Sequence, residues 1–164
     1  MSPEESDMPV VAQPTGPGAR TTATARRPGL WRPHIAVVSV IAAGGALGAV
    51  ARYGAARLWP TGAGGFPWST MTVNAVGCLV IGAFLVAVTE ACPVHRLVRP
   101  FFGTGVLGGF TTFSTYSVDV ERLFHAGHAG TAFACLAATP VAALTAVGAG
   151  AWCTRALLAR RSVR

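Results

Sequence analysis

Asn74 is the residue whose setting most needs a chemical explanation. It stands in WSTMTVNAVGCLVIGAFLVAV, Trp68 to Val88, an otherwise apolar run. By helical rise it lies roughly 9 Å in from Trp68, too deep for interfacial water to solvate it. An amide at that depth needs a polar partner, and its N–H groups can donate to an anion. A second polar concentration, GGFTTFSTYS from Gly108 to Ser117, sits inside another apolar stretch. Paired Gly108 and Gly109 weaken helix continuity. Thr111, Thr112, Ser114, Thr115 and Ser117 compete for backbone hydrogen bonds, so local unwinding is expected there. In hydrocarbon a break survives only where protein or a water-filled cavity satisfies the freed N–H and C=O groups. Broken membrane helices form ion sites, because freed carbonyls coordinate a cation while the new helix N-terminus favours an anion. A hydroxyl-rich packing seam between helices accounts for the same residues. Phe113 and Tyr116, at i and i+3, share a face if the segment after the break is helical. Their positive ring edges can then meet an anion without a buried cation, and the alternative is a core-packing pair.

These residues need membrane-spanning elements to hold them. The chain has 164 residues, 52% hydrophobic and only 12% charged, a composition of the membrane class. Four apolar runs long enough to cross a bilayer cover about residues 35–58, 68–88, 98–118 and 129–152. The expected fold is therefore an all-α membrane protein with four transmembrane helices and a break in the third. Gly44 and Gly48 make a GxxxG step in the first run, which lets another backbone approach closely. Pro140, near the middle of the fourth, should kink it or free a carbonyl that neighbouring groups must satisfy. Thr131, Cys135 and Thr139 recur every four residues on that helix and can form a polar track. Residues 1–33, rich in Pro, Thr, Ser, Gly and Arg, read as a disordered basic tail. A four-helix membrane domain over 34–158 and a short basic tail over 159–164 follow.

The formal charge is +7, and all 13 basic residues are arginines. They lie in tails and short loops beside apolar runs, the placement of topology signals and not of a nucleic-acid surface. Cys78, Cys92, Cys135 and Cys153 have no CxxC spacing or histidine partners, so no disulfide framework or zinc site is implied. Ser114 and the histidines lack GxSxG or HExxH contexts, and an enzyme is not expected.

Three stretches, GGALGAVARY (Gly44 to Tyr53), TVNAVGCLVIG (Thr72 to Gly82) and GGFTTFSTYS, together resemble the Fluc (CrcB-type) fluoride channels of bacteria over about residues 35–155. The resemblance implies a fluoride-specific channel in the plasma membrane that exports cytoplasmic fluoride by passive electrodiffusion. It also implies an antiparallel, dual-topology dimer with a structural Na+ at its interface. Carried over by residue, Asn74 is the pore amide, Phe113 and Tyr116 the two ring-edge aromatics, and Ser114 a pore-facing hydroxyl. The carbonyls of Gly108 and Thr111 are the Na+ ligands. Tyr116 departs from the family, which has phenylalanine there. Its hydroxyl needs room and a partner, and Tyr116→Phe is expected to be tolerated. Arg52 matches the arginine ending the first helix, as a vestibule charge or a structural anchor. Fluoride is small and strongly hydrated, so several weak donors suit its conduction better than one trapping cation.

Two other functions fit a small four-helix chain. A proton-coupled multidrug-type cation exporter needs a titratable carboxylate within the membrane, whereas Glu90, Asp119 and Glu121 fall at span ends. A non-transporting scaffold subunit would use the polar motif only as interhelical glue. The arginines also orient the chain. With the N-terminus inside, Arg20, Arg26, Arg27, Arg32, Arg96, Arg99, Arg155, Arg160, Arg161 and Arg164 are cytoplasmic, against Arg52, Arg57 and Arg122 outside. Such a bias fixes one topology with both termini in the cytoplasm. The expected partner is then a second, oppositely biased homologue, a homodimer being the alternative.

Overall fold

The computed structural model describes residues 31–62, 64–91 and 94–162, and among them all regular structure is helical. The tail over 1–30 and Cys92 lie outside the described residues. Helix α1 spans Trp31–Leu58 and α2 spans Trp68–Val86, the latter continuing into a π-helical turn, Ala87–Ala91. A π-wound segment, Arg99–Leu107, passes into one α-helical turn, α3, Gly108–Phe110. Helices α4, Ser114–His125, and α5, Ala129–Ser162, complete the chain.

Three stretches are long and apolar enough to cross a membrane: His34–Leu58, Trp68–Ala91 and Ala129–Arg160. The shortest has 24 residues, or about 36 Å of helix, against about 30 Å of hydrocarbon. The protein is thus a multi-pass membrane protein, all-helical among its described residues. Residues 98–118 are divided among shorter helical segments, none of which reaches that length. Helix α1 reaches back over Trp31–Pro33, which composition assigns to the tail; Pro33 is accepted because first-turn N–H groups have no helical partner. Helix α5 runs ten residues past 152, as far as Ser162, because TRALLARRS is built mostly of strong helix formers.

Two glycine seams set the packing. Along α1, a Cβ on Gly44 would strike the Phe101 carbonyl and one on Gly48 the Val106 carbonyl; from the other side, a Cβ on Gly109 would strike Gly45. Later residues of α1 meet later residues of 99–110, so the two run parallel with backbones in contact. Between α2 and α5, Gly82 lies against the Val147 carbonyl and Gly150 against that of Leu79, and Arg155 Nε meets Glu90 Oε1 at 2.9 Å beyond them. These helices also run parallel. Without a water-driven hydrophobic effect in lipid, such close backbone approach is what holds helices together.

Gly48→Val is expected to force these backbones apart and lower stability by about 2 kcal/mol or more, the cost of overpacking a tight contact. Gly54→Val, at a glycine whose Cβ would meet nothing within 4 Å, should change little. Thermal unfolding in detergent followed by circular dichroism reads the difference, and equal effects would show that the seam is not tight.

Candidate functional site

Asn74 sits on α2, 8% exposed, one turn before Cys78. Its polar partner is the backbone of a single residue. Asn74 Nδ2 donates to the Thr112 carbonyl at 2.9 Å, and the Thr112 N–H donates to Asn74 Oδ1 at 2.7 Å. The amide thus acts as a surrogate peptide group for a stretch that has left the helix: α3 ends at Phe110, and Thr111 is extended with φ −73° and ψ 155°. One Nδ2 hydrogen remains after both bonds are made.

The Thr112 side chain supports the next element. Its Oγ1 accepts the Thr115 N–H at 3.1 Å, in the manner of a helix cap for α4, and contacts Thr115 Oγ1 at 3.0 Å. Two diverted amides follow. The Thr112 N–H would bond Gly108 O in a continuous helix, and the Thr115 N–H would bond Thr111 O. The carbonyls of Gly108 and Thr111 therefore lose their i+4 donors. On α1, Arg52 Nε donates to Gly109 O at 3.2 Å, placing a cation at the negative end of α3 and leaving the neighbouring Gly108 exposed.

Asn74, Phe113 and Tyr116 line one open cavity of about 570 Å³, together with Cys78, Thr112 and Pro140. The Phe113 and Tyr116 rings are in tilted contact, centroids 5.6 Å apart. Their positions differ: Tyr116 is 8% exposed, whereas Phe113 is 79% exposed. Ser114 is also exposed, 3.3 Å from Thr112 Oγ1. Arg52 belongs to a separate, smaller cavity of about 90 Å³ with Thr70 and Thr115, and Thr112 lines both spaces. The structure therefore gathers Asn74, Phe113 and Tyr116, and puts Arg52 on a different cavity that shares only Thr112 with theirs. On α5, Cys135 and Thr139 are buried in contact, Sγ to Oγ1 3.8 Å, with Thr131 half-buried one turn before.

Three contributors escape sequence reasoning. Thr112 is one hydroxyl among several, although its place three residues before Thr115 is a capping signal. Asp119 accepts a hydrogen bond from Thr70 Oγ1 at 2.6 Å, a pairing with no local signature. The Leu136 carbonyl accepts from Tyr116 Oη at 2.8 Å, and only Pro140 hints at it. Among the described residues, no group of three His, Cys, Asp or Glu side chains could hold a metal ion.

Helix composition, parallel glycine seams and a polar interruption inside apolar surroundings define a multi-pass membrane protein with a polar-edged cavity beside that interruption. The family described as CrcB-like protein, Camphor Resistance (CrcB), matches residues 39–151, and the chain belongs to it. It is 61% identical over 142 residues to fluoride-specific ion channel FluC 1 of Streptomyces coelicolor, covering 87% of this chain and 92% of that protein. Fluoride-specific ion channel FluC 2 of Streptomyces avermitilis is 62% identical over 75% of this chain and 78% of its own length. FluC 2 of Nocardia farcinica is 48% identical over 74% of this chain and 89% of that protein.

Replacing Asn74 by leucine removes the partners of both Thr112 backbone groups. A loss of about 2 kcal/mol or more is expected, with faster hydrogen exchange at the Thr112 amide. Unchanged protection of that amide would mean that the bond does not hold the segment.

Proposed function

We propose that this chain is a subunit of a fluoride-specific channel that exports cytoplasmic fluoride by passive electrodiffusion. The observation that carries the reading is the convergence of Asn74, Phe113 and Tyr116 on one cavity, in a chain 61% identical to a protein named as a fluoride-specific channel. The remaining Asn74 N–H and the ring edges are weak donors to an anion, numerous enough to replace part of its water and none strong enough to trap it. Ser114 and the outward face of Phe113 complete the path with groups of a second subunit. Their exposure supports this, since a hydroxyl and a ring edge meant for an anion need protein and not lipid around them.

The segments 99–110 and 114–125 are two halves of one broken span, the third of four. The parallel run of α1 with 99–110 and of α2 with α5 supports the count, because alternating up and down crossings bring first and third, and second and fourth, into the same direction. Gly108 and Thr111 fit as ligands for a structural Na+: their carbonyls are those whose helical donors are diverted, and a hard cation takes oxygen ligands. Bound there, the ion would supply positive charge that ties these carbonyls to the corresponding pair of an antiparallel partner. Arg52 serves as an anchor at the end of α3.

Asn74→Asp should abolish fluoride efflux from proteoliposomes, read with a fluoride electrode against chloride. An ionised carboxylate about 4 Å from an anion repels it by about 4 kcal/mol at an effective dielectric constant of 20, at least about a hundredfold in rate. Wild-type flux in that variant would remove Asn74 from the path.

The arginine bias predicts one orientation, both termini cytoplasmic, and a partner that is an oppositely biased homologue. Expressed alone, the chain should give little protection against fluoride, and tags on either terminus should be inaccessible from outside. A conducting assembly of this chain alone, with termini on both faces, would replace the heterodimer by a homodimer.

A further inference from the structure

The hydroxyl of Tyr116 has a defined employment. Proline has no N–H, so Pro140 inside α5 leaves the carbonyl four residues earlier, Leu136 O, without its helical donor. Tyr116 Oη donates to that oxygen at 2.8 Å from the neighbouring helix. Another hydroxyl on α5, that of Thr139, is engaged with Cys135 Sγ. Tyr116 belongs to a packed cluster with Val120, Leu123, Ala132 and Cys135, and Tyr116 and Pro140 both line the cavity with Asn74.

We infer that Tyr116 is a positioning residue: its hydroxyl satisfies the Leu136 carbonyl orphaned by Pro140, which fixes the ring edge toward the anion path and keeps an unpaired acceptor oxygen from facing it. The effect on conduction rests on the fluoride reading; the hydrogen bond does not. With its proton committed to Leu136, the phenol is not itself an anion donor, and Tyr116 offers the anion a ring edge only, as Phe113 does. Phenylalanine at 116 keeps that edge but leaves the Leu136 oxygen without a donor in a place where an unmet acceptor is costly. The unmet carbonyl then lies behind Tyr116 and Pro140, two residues that line the cavity. Tolerance of Tyr116→Phe, expected from the family residue alone, is therefore reversed in a chain that carries Pro140.

The test is a four-protein cycle in the conducting assembly, with wild type, Tyr116→Phe, Pro140→Ala and the double variant in this chain. Alanine at 140 restores an N–H to Leu136 O. Fluoride efflux should fall about tenfold in Tyr116→Phe, and the double variant should recover to the rate of Pro140→Ala alone. A wild-type rate in Tyr116→Phe, or the same fractional loss in both backgrounds, overturns the proposal. Thermal unfolding of the four purified proteins gives a second reading: Tyr116→Phe should lower the midpoint only where Pro140 is present. If the wild-type assembly moves no fluoride, the fluoride reading fails and the unfolding cycle decides the bond, additive shifts overturning it. Coupling in stability without coupling in flux would retain the bond but remove its role in conduction, which also overturns the proposal.

Discussion

The paired hydrogen bonds between the Asn74 amide and the two backbone groups of Thr112 are the constraint on which the site depends. A peptide group that leaves a helix inside an apolar protein must find another donor and acceptor, and one primary amide supplies both in the right spacing. Once Thr112 is held in this way, its hydroxyl can cap α4, and Phe113 and Tyr116 emerge at the start of a helix with a fixed direction. The same diversion strips Gly108 and Thr111 carbonyls of helical donors. A spare amide hydrogen on Asn74 and two carbonyls without helical donors thus follow from one substitution of side chain for backbone.

The glycine seams make that arrangement reachable. Because Gly44, Gly48 and Gly109 allow α1 and 99–110 to touch at backbone distance, the Arg52 side chain can reach Gly109 O and fasten the end of α3. Larger residues at these positions would clash with the facing backbone and push the two segments apart. On the other side, Gly82 and Gly150 bring α2 and α5 together, so that Pro140 and Asn74 open on one cavity. Packing by small residues and polar bonding of freed backbone are in this protein two parts of one mechanism.

Polar satisfaction is thorough. Among the described residues no buried side-chain nitrogen or oxygen lacks a hydrogen-bond partner, as a low-dielectric setting demands. Hydroxyls elsewhere bond back to their own helices, as Thr145 and Thr154 do to Val141 and Gly150. Against that economy the outward display of Phe113 and Ser114 stands apart.

Class and the polar residues that matter are written in composition and depth: apolar runs fix helices in a membrane, and an asparagine, a proline and a hydroxyl-rich Gly-Gly motif inside such runs mark backbone that must be satisfied from elsewhere. These signals are local in composition and depth, so they are legible without a fold. Which groups satisfy them was decided only by tertiary structure. Asn74 lies 38 residues from Thr112 and Thr70 lies 49 from Asp119, and no periodicity relates such distant positions. The Pro140 defect was readable as an unmet carbonyl, but its donor, the Tyr116 hydroxyl on another helix, could be known only once α4 and α5 were in contact, because a hydrogen bond depends on distances within a few tenths of an ångström and not on residue type.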